Sequence, residues 1–232
     1  RIKKGMFPYA TSSWFLRNTN GVFSADTSSG LNLGMVTDAL WSDFDGDGWE
    51  DLLVAREWNS IALLKNSEGR DFIPLEVAGL NDHHGIWYAI AAGDFDKDGD
   101  QDYIAGNLGE NYRHTASSEY PMSLYAVDID NDGNIDPIMT SWWRNLEGDM
   151  KEYPVNYFDE LSAQTSYFRD KFNSYTSFSN ASIKDMLDEK MLERVQFKLN
   201  VNTTSSYVIW NDAGQFRFER LPALCQVSPV TR

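Results

Sequence analysis

Short apolar runs alternate with clusters of Asp, Asn and Gly along most of this 232-residue chain. Three of the clusters are rich in Asp, and the apolar runs on both sides of each have the length and composition of β-strands. Each Asp cluster is therefore predicted to form the tip of a β-hairpin. The predicted strands contain Ala39–Trp41 and Leu52–Ala55 around the first cluster, Ile86–Ile90 and Tyr103–Ala105 around the second, and Leu124–Val127 and Ile138–Met139 around the third.

A second repeat marks further hairpins. An apolar pair is followed by Asn, then by Gly three residues later, and then by Phe within three residues; Asn and Gly supply a turn and Phe resumes the inward face. Because 48 residues separate the first Asn from the second, the spacing fits a four-stranded propeller blade, which has about 40 to 50 residues. Residues 31–80 are predicted to form one complete blade. The three copies contain Asn18, Gly21 and Phe23, then Asn66, Gly69 and Phe72, then Asn211, Gly214 and Phe216.

The apolar period becomes helical between residues 156 and 195. Phe158, Leu161, Phe168 and Phe172 would share one helix face, and a second set begins at Ile183, after Ser182 as a possible N-cap with Asp185 three residues later. We predict two inserted helices, which either cover an exposed sheet edge or bind a partner. The predicted organisation is thus propeller blades with three Asp loops over 1–155, a helical insertion over 156–195, and a returning outer hairpin with the start of the next blade over 196–232.

The Asp clusters share one pattern, Asp-x-Asp-x-Asp-Gly-x-x-Asp, which we call loop 1 (Asp43–Asp51), loop 2 (Asp94–Asp102) and loop 3 (Asp128–Asp136). Carboxylates at positions 1, 3, 5 and 9 would repel one another unless a cation lay among them, and oxygen ligands at this density suit Ca²⁺. Gly at position 6 permits a positive φ, so that position 7 can offer its backbone carbonyl. The alternative is three acidic surface turns without metal.

Up to three Ca²⁺ ions are therefore predicted. Unlike an EF-hand, the loops have apolar residues at position 12 (Val54, Ala105 and Met139) in place of a bidentate Glu. The predicted ligands are Asp43, Asp45, Asp47, Asp51 and the carbonyl of Trp49; Asp94, Asp96, Asp98, Asp102 and the carbonyl of Asp100; and Asp128, Asp130, Asp132, Asp136 and the carbonyl of Asn134.

These motifs resemble the FG-GAP family, also called VCBS repeats, whose members include the calcium-binding propeller of integrin α-subunits. The resemblance rests on WSDFDGDGWEDLLVA, IAAGDFDKDGDQDYIAGN, LYAVDIDNDGNIDPIMT and the RNTNGVF-type hairpins. The chain resembles in particular a bacterial surface-protein subgroup of this family that carries a helical insertion. The resemblance implies a mainly β fold, a seven-bladed propeller in the full-length relatives, and calcium ligands in the Asp loops.

The chain departs from a regular propeller in one respect. Loops 2 and 3 begin 34 residues apart, whereas loops 1 and 2 begin 51 residues apart. Either one blade lacks an outer hairpin between loops 2 and 3, or loop 3 belongs to another hairpin of the same blade. With strands for about three to four blades, the chain is expected to be a partial propeller and a fragment of a longer protein.

Composition fits an exported calcium module. The formal net charge is −15, and 12 of the 35 acidic residues are the proposed carboxylate ligands. Nucleic acid is excluded as a partner by this charge, and no apolar run is long enough to span a membrane. Calcium sites of this kind fill at extracellular concentrations, so an extracellular, cell-surface or periplasmic location is expected. Self-association of the fragment is a further expectation, because uncovered blade faces are apolar.

Two functions remain open at this stage. The first is a non-catalytic scaffold for adhesion that binds a protein or a glycan; the second is part of a polysaccharide lyase or another carbohydrate-active enzyme. Catalytic motifs are lacking, and Tyr112, Arg113 and His114 form the one local cluster that could serve a lyase. Tryptophans such as Trp41 and Trp143 could pack within blades or stack on sugars.

Overall fold

The computed structural model describes residues 7–231, with residues 26–30 described by their backbone alone. Antiparallel strands dominate the fold, and helices are few and short. The longest helix in the described part of the chain has seven residues, so none there could cross a membrane. The strands are β1 (Ser13–Thr19), β2 (Val22–Leu31), β3 (Met35–Ser42), β4 (Asp51–Asn59), β5 (Ala62–Ser67), β6 (Asp71–Leu75), β7 (Gly85–Ile86), β8 (Ala89–Gly93), β9 (Asp102–Gly106), β10 (Met122–Val127), β11 (Asp136–Arg144), β12 (Met150–Pro154), β13 (Phe197–Val201), β14 (Tyr207–Asp212) and β15 (Gln215–Arg220).

The described residues fall into two compact units, and one interrupts the other in sequence. The main unit contains residues 10–113 and 203–231. The inserted unit contains residues 7–9 and 114–202. Loops 1 and 2 belong to the main unit, and loop 3 belongs to the inserted unit.

Three sheets form the main unit: the hairpin β1–β2, the sheet β3–β4–β5–β6 with β7 beside β4, and the sheet β8–β9–β14–β15. One apolar cluster lies between the second and third sheets and includes Leu53, Leu63, Trp87, Tyr103 and Ile209, all at most 1% exposed. A smaller cluster covers the other face of the second sheet, where Phe15 of β1 stacks on Phe72 with ring centroids 4.7 Å apart. Each of the two larger sheets of the main unit is therefore packed against a neighbouring sheet.

The inserted unit combines one sheet, in the order β12–β11–β10–β13, with five short helices. Apolar residues of β10 and β11, including Val127 and Ile138, pack against helix residues such as Leu161, Phe168 and Met186. This cluster is the core of the unit. The helices are α1 (Phe158–Gln164), α2 (Tyr167–Lys171), α3 (Tyr175–Ser179), α4 (Ile183–Met186) and α5 (Glu189–Glu193).

The number of helices was predicted wrongly, because the chain forms five short helices where two were expected. Of the expected apolar positions, Leu161, Phe168, Phe172 and Ile183 are nevertheless buried, and Phe158 is partly buried against them. Short polar residues that favour N-caps interrupt the helical pattern: the side chains of Ser174 and Asp188 accept the N–H groups of Ser177 and Met191. Ser182 is the N-cap of α4 as expected, and its N–H donates to Asp185 over 2.9 Å.

The hairpins were predicted more accurately than their grouping into sheets. All three Asp loops join antiparallel strands, and all three Asn-x-x-Gly segments are hairpin turns. The short spacing of loops 2 and 3 agrees with the first of the two alternatives above, because the described residues between these loops form no outer hairpin. The outer hairpin of the sheet containing loop 2 is β14–β15, which follows about 100 residues later, and loop 3 lies in a separate sheet.

Candidate metal sites

Each Asp loop brings three carboxylates together at the tip of its hairpin. Loop 1 joins β3 to β4, loop 2 joins β8 to β9, and loop 3 joins β10 to β11. In every loop, one ligand oxygen from each of positions 1, 3 and 9 lies within 4.8 Å of the others. The three groups are Asp43, Asp45 and Asp51; Asp94, Asp96 and Asp102; and Asp128, Asp130 and Asp136.

The carboxylate at position 9 is the buried member of each group. Asp51, Asp102 and Asp136 are at most 5% exposed, although each begins a strand that leaves the loop. One oxygen of each accepts the backbone N–H of position 2, over 3.4 Å in loop 1 and 3.1 Å in loops 2 and 3. The position-9 carboxylate thus bonds the end of each loop to its beginning.

Position 1 orders the opposite side of the loop. Asp43 accepts the N–H groups of Asp47 and Gly48, and Asp128 accepts those of Asp132 and Gly133. The glycines at position 6 have φ of +89°, +102° and +86°, and a Cβ there would meet no atom within 4 Å. Backbone conformation, and not lack of space, therefore requires glycine at this position.

Position 5 differs from positions 1, 3 and 9. One oxygen each of Asp47, Asp98 and Asp132 accepts the N–H of position 7, over 2.8–3.2 Å. These carboxylates are not part of the three close groups. The ligand roles assigned from sequence to position 5 and to the carbonyls of Trp49, Asp100 and Asn134 therefore stay predictions.

A cationic side chain from a neighbouring strand contacts loop 1, and the sequence motif did not indicate it. Lys65 of β5 donates to Asp45 over 2.6 and 2.5 Å and to Asp47 over 2.6 Å, and its Nζ lies 3.8 Å from Asp51. Burial would lower the pKa of Lys65, but the hydrogen bonds with Asp45 and Asp47 raise it above its usual value. The hydrogen bond from Lys65 is also the main reason that the pKa of Asp47 is lowered.

In loops 2 and 3, burial and neighbouring carboxylates raise the pKa of Asp96 and Asp136. Burial raises the pKa of Asp136 to about 6, and the charges of Asp130, Asp132 and Asp128 add to that shift. Burial also raises the pKa of Asp96, with a further increase from Asp98. Asp100 Oδ1 is buried and has no hydrogen-bond partner among the described residues. This excess of oxygen acceptors fits a hard cation that binds oxygen atoms, which is the chemistry expected for Ca²⁺.

Two asparagines of the second repeat support the loops, a role that sequence reasoning missed. The second oxygen of Asp51 accepts the N–H of Asn66 over 2.7 Å, and that of Asp102 accepts the N–H of Asn211 over 3.0 Å. The Asn66 side chain also donates to the carbonyl of Glu50. In loop 1 the Asn follows the position-9 Asp by 15 residues, so the order of the two repeats could have indicated this contact; in loop 2 the separation is 109 residues, and no spacing indicates it.

Residues considered for catalysis or sugar binding occupy varied environments. His114 is buried in the inserted unit with its ring edge-on to Trp143, at a centroid distance of 5.5 Å. Tyr112 is exposed in the main unit. Of the tryptophans, Trp58 and Trp87 are buried, whereas Trp14, Trp41, Trp49 and Trp143 are at least 40% exposed. Core packing therefore accounts for only some of the tryptophans.

Comparison with known families agrees with the loop geometry. Residues 43–105 match the model of the FG-GAP-like repeat, so this part of the chain is an FG-GAP-like repeat region. The match runs from the first carboxylate of loop 1 into β9 and contains both loops of the main unit. No curated protein and no solved structure matches the chain.

The supporting role of Asn66 can be tested by substitution. Asn66→Ala removes side-chain bonds to Gly69 and Glu50 from a buried position, so we expect it to lower the free energy of unfolding by about 1–3 kcal/mol. Asn18→Ala is the matched control, because Asn18 makes the same bond to its hairpin glycine, Gly21, at an exposed position. Urea denaturation of both variants would measure the difference in their free energies of unfolding. Equal losses of stability would show that Asn66 acts only as a turn residue.

Proposed function

We propose that this chain is a calcium-binding module of the β-propeller type. The observation that supports this most directly is the threefold recurrence of a close carboxylate group at a hairpin tip, with one buried member each time. The donors are oxygen atoms alone, a set that suits Ca²⁺ better than Zn²⁺ or copper. Two of the three groups lie in the FG-GAP-like repeat region.

The sheet arrangement supports the propeller interpretation. In the second sheet of the main unit, strand order follows chain order from β3 to β6, as in a propeller blade. The third sheet has the same pattern of two successive hairpins, and β1–β2 supplies one hairpin of another. A closed ring is not formed by the residues that the structure describes, which agrees with a partial propeller.

The loop residues explain how such sites would act. Positions 1, 3 and 9 place carboxylates from both strands of a hairpin around one point, and bonds within the loop hold them there. A bound Ca²⁺ would neutralise this charge and fix the hairpin tip. The consequence is a set of rigid tips that can present neighbouring side chains to a partner.

A non-catalytic scaffold that binds a protein or a glycan is the function we favour. Exposed aromatic residues lie beside the main-unit loops: Trp49 and Phe95 are loop residues, and Trp41 lies near the end of β3. Aromatic side chains of this exposure suit stacking on sugars and burial at protein interfaces. Export to the cell surface or periplasm forms part of the same proposal, since such sites fill at extracellular calcium levels.

Calcium binding is tested by titration and chelation. We expect calorimetry to show up to three sites, and EDTA to lower the melting temperature, because each site contributes about 2.7 kcal/mol when calcium exceeds Kd 100-fold. Asp96→Asn should weaken or remove the site in loop 2. Glu50→Gln removes the same charge from an exposed position outside the carboxylate groups and should leave every site intact. Unchanged melting and calcium content after EDTA would contradict the proposal.

Self-association is proposed through the hairpin β1–β2. Trp14, Leu16, Val22 and Phe23 are between 61% and 69% exposed, which is unusual for apolar residues of one hairpin. We expect light scattering to show a dimer or larger species that Leu16→Asp dissociates. Ile73→Asp, at an exposed apolar residue on β6, should leave the mass unchanged. A wild-type protein that is monomeric at high concentration would contradict this expectation.

A further inference from the structure

Loops 1 and 2 differ in one residue of the neighbouring strand that bonds to their position-9 Asp. This strand is β5 beside loop 1 and β14 beside loop 2. In loop 1 this residue is Lys65, whose ammonium contacts Asp45 and Asp47 and approaches Asp51. The two strands beside the loops can be aligned through the asparagines that bond to position 9, Asn66 and Asn211. The residue before Asn211 is Trp210, whose indole N–H donates to Glu219.

The position of the Lys65 ammonium is set by the surrounding structure. Asn66, the next residue along β5, is bonded to Asp51 and fixes the strand against the loop. The ammonium also lies 5.3 Å from the centre of the Phe44 ring, and the side chain is 22% exposed. A surface lysine free to rotate would not meet three carboxylates of one loop at once.

We propose that Lys65 is a built-in competitor for the cation of loop 1. This inference rests on the proposed function and adds a regulatory residue to one of its sites. Both oxygens of Asp45 and one oxygen of Asp47 already accept N–H groups of Lys65. Asp45 belongs to the close carboxylate group of loop 1, and Asp47 is a ligand predicted from the sequence. A divalent ion and the ammonium would also repel each other at this distance. Calcium must therefore displace Lys65 before it can bind.

Two consequences follow from this competition. Without calcium, Lys65 offsets the repulsion among the loop 1 carboxylates and so stabilises loop 1. With rising calcium, loop 1 fills only after the lysine has moved into solvent. Loop 1 is thus a weaker site than loop 2, and its state reports the calcium concentration.

The test is Lys65→Met, which keeps the length of the side chain and removes its charge. Calorimetry should show one site with an affinity increased by roughly 5- to 30-fold, the range that corresponds to losing an ion pair of about one to two kcal/mol. Asp45→Asn, added to Lys65→Met, should abolish the site that changed and so assign it to loop 1. Lys184→Met removes an exposed lysine outside the Asp loops and controls for the change in net charge.

Stability provides a second readout that does not depend on affinity. Lys65→Met should lower the melting temperature in EDTA and restore it at saturating calcium, whereas Lys65→Arg should behave like the wild type in EDTA. A Lys65→Met protein that binds calcium with unchanged affinity at every site would overturn the inference and leave the proposed function in place. If neither the wild-type protein nor the Lys65→Met variant bound calcium, both this inference and the proposed function would be wrong.

The wild-type protein offers a measurement that needs no variant. Reductive methylation followed by mass spectrometry reports how reactive each lysine is. Lys65 should react slowly in EDTA, where its ammonium is bonded to carboxylates, and faster in saturating calcium. Lys184, an exposed lysine outside the Asp loops, serves as the internal reference. Equal reactivity of Lys65 in both conditions would show that calcium does not displace it.

Discussion

Repulsion among carboxylates at the hairpin tips is the constraint on which the local design of this protein depends. Two unit charges about 4 Å apart repel by about 1 kcal/mol in bulk water and by about 4 kcal/mol at the effective dielectric constant of a protein surface. Each loop has three carboxylates in that range. Hydrogen bonds offset part of this repulsion. Backbone N–H groups donate to positions 1 and 9, and in loops 1 and 2 a neighbouring strand adds a further N–H. In loop 1 the ammonium of Lys65 also contacts the carboxylates.

The same contacts connect the loops to the packing of the main unit. Asn211 donates through its backbone to Asp102 of loop 2 and through its side chain to the carbonyl of Phe44 in loop 1. The Phe44 ring is buried in the cluster between the two large sheets and lies 5.9 Å from Phe216. Only one or two contacts therefore separate the carboxylates of loops 1 and 2 from the apolar core. The stability of the sheets and the state of the loops are coupled.

Sequence patterns predicted the local elements well, because hairpin turns and Asp loops are encoded within about ten residues. They failed where distant segments decide the outcome. The pairing of Val208 with Ile104 joins strands about 100 residues apart, and no short-range pattern marks it. The helical segment misled in another way, since Ser174 and Asp188 fit a helix surface as well as an N-cap. Lys65 was missed because a lysine before a turn usually points to solvent, and only the pairing of β4 with β5 places it over loop 1.

The third sheet is completed by β14 and β15, which come about 100 residues after β9 in the sequence. The contacts at the two ends of the inserted segment explain how these strands meet. In the second sheet, β4 and β5 are joined by two residues, whereas about 100 residues separate β9 from β14. Loop-closure entropy grows by only about 0.6 kcal/mol per doubling of length, so this difference costs about 3 kcal/mol. Asn107 offsets part of that cost: its buried side chain donates to the carbonyls of Thr203 and Ser205, and its N–H donates to Ser206. These bonds hold the two ends of the insertion side by side, where β9 pairs with β14 to complete the third sheet.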